Sequence, residues 1–269
     1  MDMDLNYFET NRKSWNEKTK VHIKSDFYDN ENFLKGKSSL KPVELNLLGN
    51  VTGKSILHLQ CHFGQDSISL GRLGASVTGV DISDEAIKQA TAFAAQTHSQ
   101  AKFICCNVYD LPASLTGQFD IVFTSYGTIG WLPDLDRWAG IISRFLKPDG
   151  KFVLVEFHPV VWMFDDEFNS VGYNYFNTGP IIENEKGDYA DPQALIGQEL
   201  VGWNHSISEI LNNLIKNGIE INSFDEFDYS PFNCFKHTNE TEPGKFRIQH
   251  LKNKIPILYS ILATKKSNW

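Results

Sequence analysis

Residues 55–81 read SILHLQCHFGQDSISLGRLGASVTGVD. A short apolar run, Ile56-Leu57-His58-Leu59, breaks sharply at Gln60-Cys61-His62-Phe63-Gly64. A helical pattern follows, with Ile68, Leu70 and Leu73 apolar and Gly74 in the position of a C-cap. A second run, residues 75–80, ends on Asp81. Strand, tight turn, helix and strand with a terminal carboxylate make the first βαβ unit of a doubly wound α/β sheet. These parts imply a nucleoside ligand. Backbone N–H groups at the helix start donate to a polar group held close, and the carboxylate accepts both hydroxyls of a ribose.

Which nucleoside follows from what is missing. A dinucleotide fingerprint needs three glycines, whereas here Gln60 and His62 stand where small residues belong and only Gly64 remains. No GKS or GKT marks a phosphate-cradling loop either. A bulky turn suits a ligand that brings an amino acid to it rather than phosphates.

On these residues the stretch resembles motif I of class I S-adenosylmethionine-dependent methyltransferases, usually apolar-apolar-Asp-Leu-Gly-Cys-Gly-x-Gly. It is nearer still to a bacterial small-molecule subgroup with an HLQCHFG loop, whose pattern recurs at Trp203-Asn204-His205-Ser206 and Pro256-Ile257-Leu258-Tyr259-Ser260. The similarity covers nearly the whole chain. It implies a Rossmann-like, seven-stranded doubly wound sheet with the last strand antiparallel, S-adenosylmethionine as cofactor and S-adenosylhomocysteine as product. By the same resemblance Gln60, Cys61, His62, Phe63 and Gly64 meet the methionine end, and Asp81 with the adjoining Ile82 meets the ribose. Asn107 and Val108 meet the adenine, where the superfamily usually has an Asp and where an amide still pairs with adenine's edge. Ser125 and Tyr126 lie beside the methionine moiety, Tyr126 facing the sulfonium. His58 replaces the acid that most of the superfamily carries.

Around this unit the chain divides into an N-terminal helical lid (1–48), a core (49–159 and 203–269) and a cap insertion after the fifth strand (160–202). Tyr7, Phe8, Trp15 and Val21 mark an amphipathic first helix, and Pro42 opens a helix that ends at Gly49. Trp15 and Tyr28 either fold over the cofactor mouth and the substrate or pack on the core. Ser83 caps a helix through Phe93, and Phe119 to Thr124 is a buried strand leading to Trp131, also a candidate substrate contact. Lys147-Pro148-Asp149-Gly150 is a turn before the strand ending at Glu156-Phe157-His158-Pro159. His158 is thereby the best-placed general base, or a structural histidine. The aromatic density of 160–202, Trp162 and Tyr175 included, suits a cap over a small acceptor, or a hairpin that covers an edge or a dimer contact. Ser206 and Glu209 form a capping box before Gly218. Residues 219–227 and 255–264 read as the last two strands.

Composition bounds the rest. The 269 residues are 41% hydrophobic and 13% aromatic, enough for a full core. A net charge of −8 and a pI near 5.5 argue against nucleic acid as a partner. No Asn/Asp-Pro-Pro-Tyr tetrad is present to hold a flipped base. The four cysteines, two of them adjacent, form neither a disulfide framework nor a metal-ligand pattern, and a reducing cytoplasm fits. The acidic start is no signal peptide and no apolar run approaches the length of a membrane span. The expectation is a cytoplasmic monomer or homodimer. It would move a methyl group to an O, N or S nucleophile of a small molecule, with no metal. A binder of the same cofactor without turnover, and a nicotinamide-dependent oxidoreductase, are the competing readings.

Overall fold

The structure is a computed structural model and describes residues 6–267; residues 1–5, the acidic start of the chain, and 268–269 lie outside the described residues. Strands β1 (Ser55–Leu59), β2 (Ser76–Asp81), β3 (Lys102–Cys105), β4 (Phe119–Ser125) and β5 (Leu146–Phe157) come first. The hairpin strands β6 (Ile181–Lys186) and β7 (Gly197–Gly202) follow. Then come β8 (Ile219–Phe227), the pair β9 (Thr238–Glu242) and β10 (Lys245–Ile248), and β11 (Leu258–Lys265). Seven of them form one sheet in the order β3-β2-β1-β4-β5-β11-β8. β11 runs antiparallel to both β5 and β8, where the sequence predicts it. Phe119 lies opposite Leu146 and Ile121 opposite Lys151, so residues 147–150 form the expected turn inside β5, with Asp149 left-handed at φ 59°.

Contacts divide the chain into two units. The first comprises 1–40, 51–117 and 180–202; the second comprises 41–50, 118–179 and 203–269.

In the first unit, α1 (Tyr7–His22) and α2 (Asn30–Leu34) precede β1; α4 (Gln65–Arg72) and α5 (Asp84–Gln96) flank the parallel strands. α3 (Pro42–Leu48) belongs to the second unit. Ser83 Oγ accepts from Ala86 N at 3.0 Å, as a cap should. Phe33, Phe63, Ile68, Ala86 and Phe93 make the apolar core here.

The first helix departs from expectation. An apolar stripe through Tyr7, Phe8, Trp15 and Val21 is predicted, yet the buried side chains are Asn11, Ser14, Lys18, Thr19 and His22. This face is polar because α1 lies against β7 and the loop before it. Asn11 Nδ2 donates to Val201 O at 2.8 Å, and Asn11 Oδ1 accepts from Val201 N at 3.0 Å. Lys18 Nζ bonds Glu185 Oε2 at 2.6 Å and Asp188 Oδ2 at 3.0 Å, which supplies the pairing a buried ammonium requires.

The last helix of the first unit is α6 (Leu111–Ser114); the second unit holds α7 (Leu135–Phe145) and α8 (Ile207–Lys216). The capping box at α8 is half formed. Ser206 Oγ accepts from Glu209 N at 3.3 Å, but the Glu209 carboxylate turns to His205 Nδ1 at 3.0 Å because that buried ring needs a partner. Among the described residues no helix is long and apolar enough to cross a membrane.

Candidate functional site

In the first unit the turn after β1 takes alternate left-handed residues: Gln60 (φ 53°), His62 (φ 50°) and Gly64 (φ 78°). Such backbone costs free energy at non-glycine positions and persists where the surroundings impose it. Two glycines let it close on the sheet. A Cβ on Gly64 would lie 2.6 Å from the Phe103 ring, and one on Gly79 would lie 2.8 Å from Cys61 Sγ. The turn delivers His62 N to Asp81 Oδ2 at 2.8 Å, while Ser83 N donates to Asp81 Oδ1 at 2.8 Å. Each carboxylate oxygen keeps a second acceptor position. Burial raises this carboxyl to about 6 against the backbone donors that hold it down. Ile82 is half-buried beside it.

Asn107 Oδ1 accepts from Tyr109 N at 3.0 Å, capping a short turn in which Val108 is buried. His58 belongs to the core: its Nδ1 meets Ser67 Oγ at 2.8 Å, and burial takes its pKa down to about 3.

His62 has further company. Its Nε2 lies 3.2 Å from His22 Nδ1, and His22 Nε2 lies 2.8 Å from Asp188 Oδ1. The Trp15 and Tyr28 rings stand 5.5 Å from His62. Tyr28 and Tyr189 join hydroxyl to hydroxyl. Burial lowers both histidines, with Asp188 opposing it at His22. Burial pushes the Asp188 carboxyl up, but His22 and Lys18 together hold it below the ordinary carboxylate value. Trp15, Tyr28, His62, Phe63 and Asp81 are thus gathered in one unit. Sequence reasoning missed Lys18, His22, Asp188 and Tyr189. The available signal was a lysine and a histidine four apart on one face of α1. A groove of about 300 Å³ beside α1, lined by Glu17, Lys20, Val21, Asp191, Leu195 and Ile196 among others, contains none of the predicted site residues.

The second unit holds the others. Ser125 is buried at the end of β4, and Tyr126 follows at φ 52°. The Tyr126 hydroxyl donates to Glu44 Oε2 at 2.5 Å, and its ring meets Phe232 edge-on at 4.9 Å. Trp131 Nε1 donates to Gly127 O at 2.7 Å. His158 is buried: its Nδ1 accepts from Val160 N at 3.2 Å and its Nε2 lies 2.9 Å from Glu226 Oε1. Its Nδ1 could take a proton only by giving up the Val160 contact. Trp162 is 42% exposed, against Phe157 and Phe235. The Tyr175 hydroxyl accepts from Ile207 N at 3.2 Å. Glu156, at the end of β5, accepts from Thr128 N (2.6 Å), Thr128 Oγ1 (2.8 Å), Ile129 N (3.2 Å), Phe157 N (2.7 Å) and Gly127 N. Burial raises its pKa against those donors.

Comparison with known proteins bears on this geometry. The family model of the methyltransferase domain matches residues 56–150. A ubiquinone biosynthesis O-methyltransferase of Xanthomonas oryzae pv. oryzae is 34% identical over 119 residues, 43% of this chain and 49% of that protein. An uncharacterized methyltransferase of Synechocystis is 33% identical over 131 residues, 48% of this chain and 59% of the other. The chain thus spans about half the length of the curated relatives it matches. The structure of an S-adenosylmethionine-dependent methyltransferase from Mesorhizobium loti superposes with a TM-score of 0.57 at 20% identity, covering 86% of this chain and 100% of that one. Residues 56–150 thus match the model of a methyltransferase domain, and the seven-stranded sheet shares its fold with the Mesorhizobium structure.

Proposed function

We propose that this chain transfers a methyl group from S-adenosylmethionine to a nucleophile of a small molecule, within the HLQCHFG subgroup of methyltransferases. The observation that carries the reading is Asp81. It is a half-buried carboxylate at a strand end inside the matched domain, oriented by two backbone N–H groups and with acceptor positions left over. Those acceptor positions fit the vicinal hydroxyls of a ribose, and the turn at 60–64 offers backbone to an amino-acid end. The donor, when bound, supplies a methyl group on a sulfonium, already a strong electrophile. The protein's part is then to align the two reactants and exclude water. Asp81 holds the ribose and Asn107 with Val108 the adenine. Gln60 to Gly64, Ser125 and Tyr126 hold the methionine end. Trp15, Tyr28, Trp131, Trp162 and Tyr175 are the residues assigned to the acceptor. The Xanthomonas relative is named an O-methyltransferase, which favours oxygen among O, N and S.

S-adenosylhomocysteine should raise the melting temperature while NADH does not; the reverse would return the oxidoreductase. Label from S-adenosylmethionine should pass into a small molecule of a metabolite extract. Donor binding with no transferred label would make the chain a binder without turnover.

A further inference from the structure

We propose that Asp188, His22 and His62 form a proton relay that takes the proton of a hydroxyl methyl acceptor. This deepens the reading above and rests on it. The hydrogen-bond roles along the relay follow from its ends. Asp188 Oδ1 also accepts from Ala190 N at 2.8 Å, and Lys18 sits on Oδ2, so the carboxylate meets His22 as an acceptor and fixes the proton on His22 Nε2. His22 Nδ1 is then a lone pair, and the ring nitrogen 3.2 Å away, His62 Nε2, must carry the proton between them. Thr19 gives the same answer independently. Its hydroxyl donates to Trp15 O at 2.7 Å, so towards His62 Nε2, 3.5 Å away, only its lone pairs are offered. His62 Nδ1 is left as the bare nitrogen, and among the described residues it has no hydrogen-bond partner. It belongs to the turn assigned to the methionine end of the donor, walled by the rings of Trp15 and Tyr28. The charged groups around the relay are Lys18, Glu185 and Asp188.

A base is wanted most by a hydroxyl. An amine attacks through its lone pair and sheds its proton afterwards, and a thiol ionises near neutral pH, but an alcohol or phenol must lose its proton as the new bond forms. The acceptor oxygen bonds to the methyl carbon as the carbon–sulfur bond breaks, its electron pair staying on sulfur. The O–H proton goes to His62 Nδ1, and the Nε2 proton of His62 moves to His22 Nδ1. The positive charge ends on a His22 imidazolium against Asp188, and water takes the proton between turnovers. His62 is the catalytic residue; His22 and Asp188 are positioning residues.

The test uses the full chain with isotope-labelled histidine, saturated with S-adenosylhomocysteine, and proton–nitrogen correlation NMR to read which ring nitrogen of His62 is protonated. A proton on Nε2 and none on Nδ1 is expected; a proton on Nδ1 overturns the relay. Asp188→Asn should lower label transfer to a metabolite extract about 100-fold, the scale of a lost general base. Its S-adenosylhomocysteine affinity should stay within about twofold by calorimetry, and the deficit should shrink as pH rises towards the acceptor's own ionisation. If Asp188→Asn loses affinity for that compound, His22→Gln takes its place with the same expectation. Equal transfer by parent and variant overturns the relay and leaves the methyltransferase reading standing. A parent that binds but transfers nothing overturns that reading, and the protonation state of His62 still decides the relay.

Discussion

Asp81 and Glu156 are the same chemistry in the same kind of place, a carboxylate at the C-terminal end of a parallel strand, one in each unit. Burial raises the pKa of both. They differ in what their oxygens are given. Glu156 is 2% exposed and receives the backbone of residues 127–129, the Thr128 hydroxyl and Phe157 N. Asp81 is half-buried and receives one backbone N–H per oxygen. A carboxylate saturated by its own chain is a brace, and one left with room is a place for a ligand. The sheet edge alone does not distinguish them.

The comparison is broken or sharpened by substitution. Glu156→Ala should have the largest effect, about 4 kcal/mol of unfolding free energy in urea, because it leaves several buried donors without an acceptor. Asp81→Ala should weaken S-adenosylhomocysteine about 100-fold in calorimetry, about 2.7 kcal/mol, with a melting temperature only a few degrees lower. If it unfolds as readily as Glu156→Ala, the distinction between brace and site is lost. Acid probes the same carboxylate. Its folded pKa, about 6, lies above the ordinary 3.8, so protonating it favours the folded chain while removing the ionised acceptor. Affinity should therefore fall about tenfold from pH 7 to 5 with no loss of stability from this group. Tyr126→Phe, which removes one hydrogen bond to Glu44, should cost only about 1 kcal/mol of stability.

The crossover from Ser55 to Asp81 was legible because each of its parts is local. A short apolar run, a turn, a helical period and a glycine stop all fall within one short stretch. The antiparallel last strand was legible for the same reason, together with the resemblance. The buried face of α1 was not. Lys18, His22 and Asn11 look like a solvated stripe until the hairpin strand and its preceding loop, some 166–190 positions away in sequence, are laid against them. Periodicity reports which residues repeat along a helix and is blind to a partner that neutralises a charge from afar. Glu209 shows the same limit in miniature, since its capping partner was legible and the competing His205 ring was not.

Asn11 has one more consequence. With its amide it both gives to and takes from Val201, which lies opposite Ile182 in a two-stranded ribbon, so one side chain occupies the slot of a further strand. An open ribbon margin is a template for another chain to join. The first helix thus serves the molecule as a selvedge, and a version with a leucine at this position would be prone to zip onto its neighbours as concentration rises.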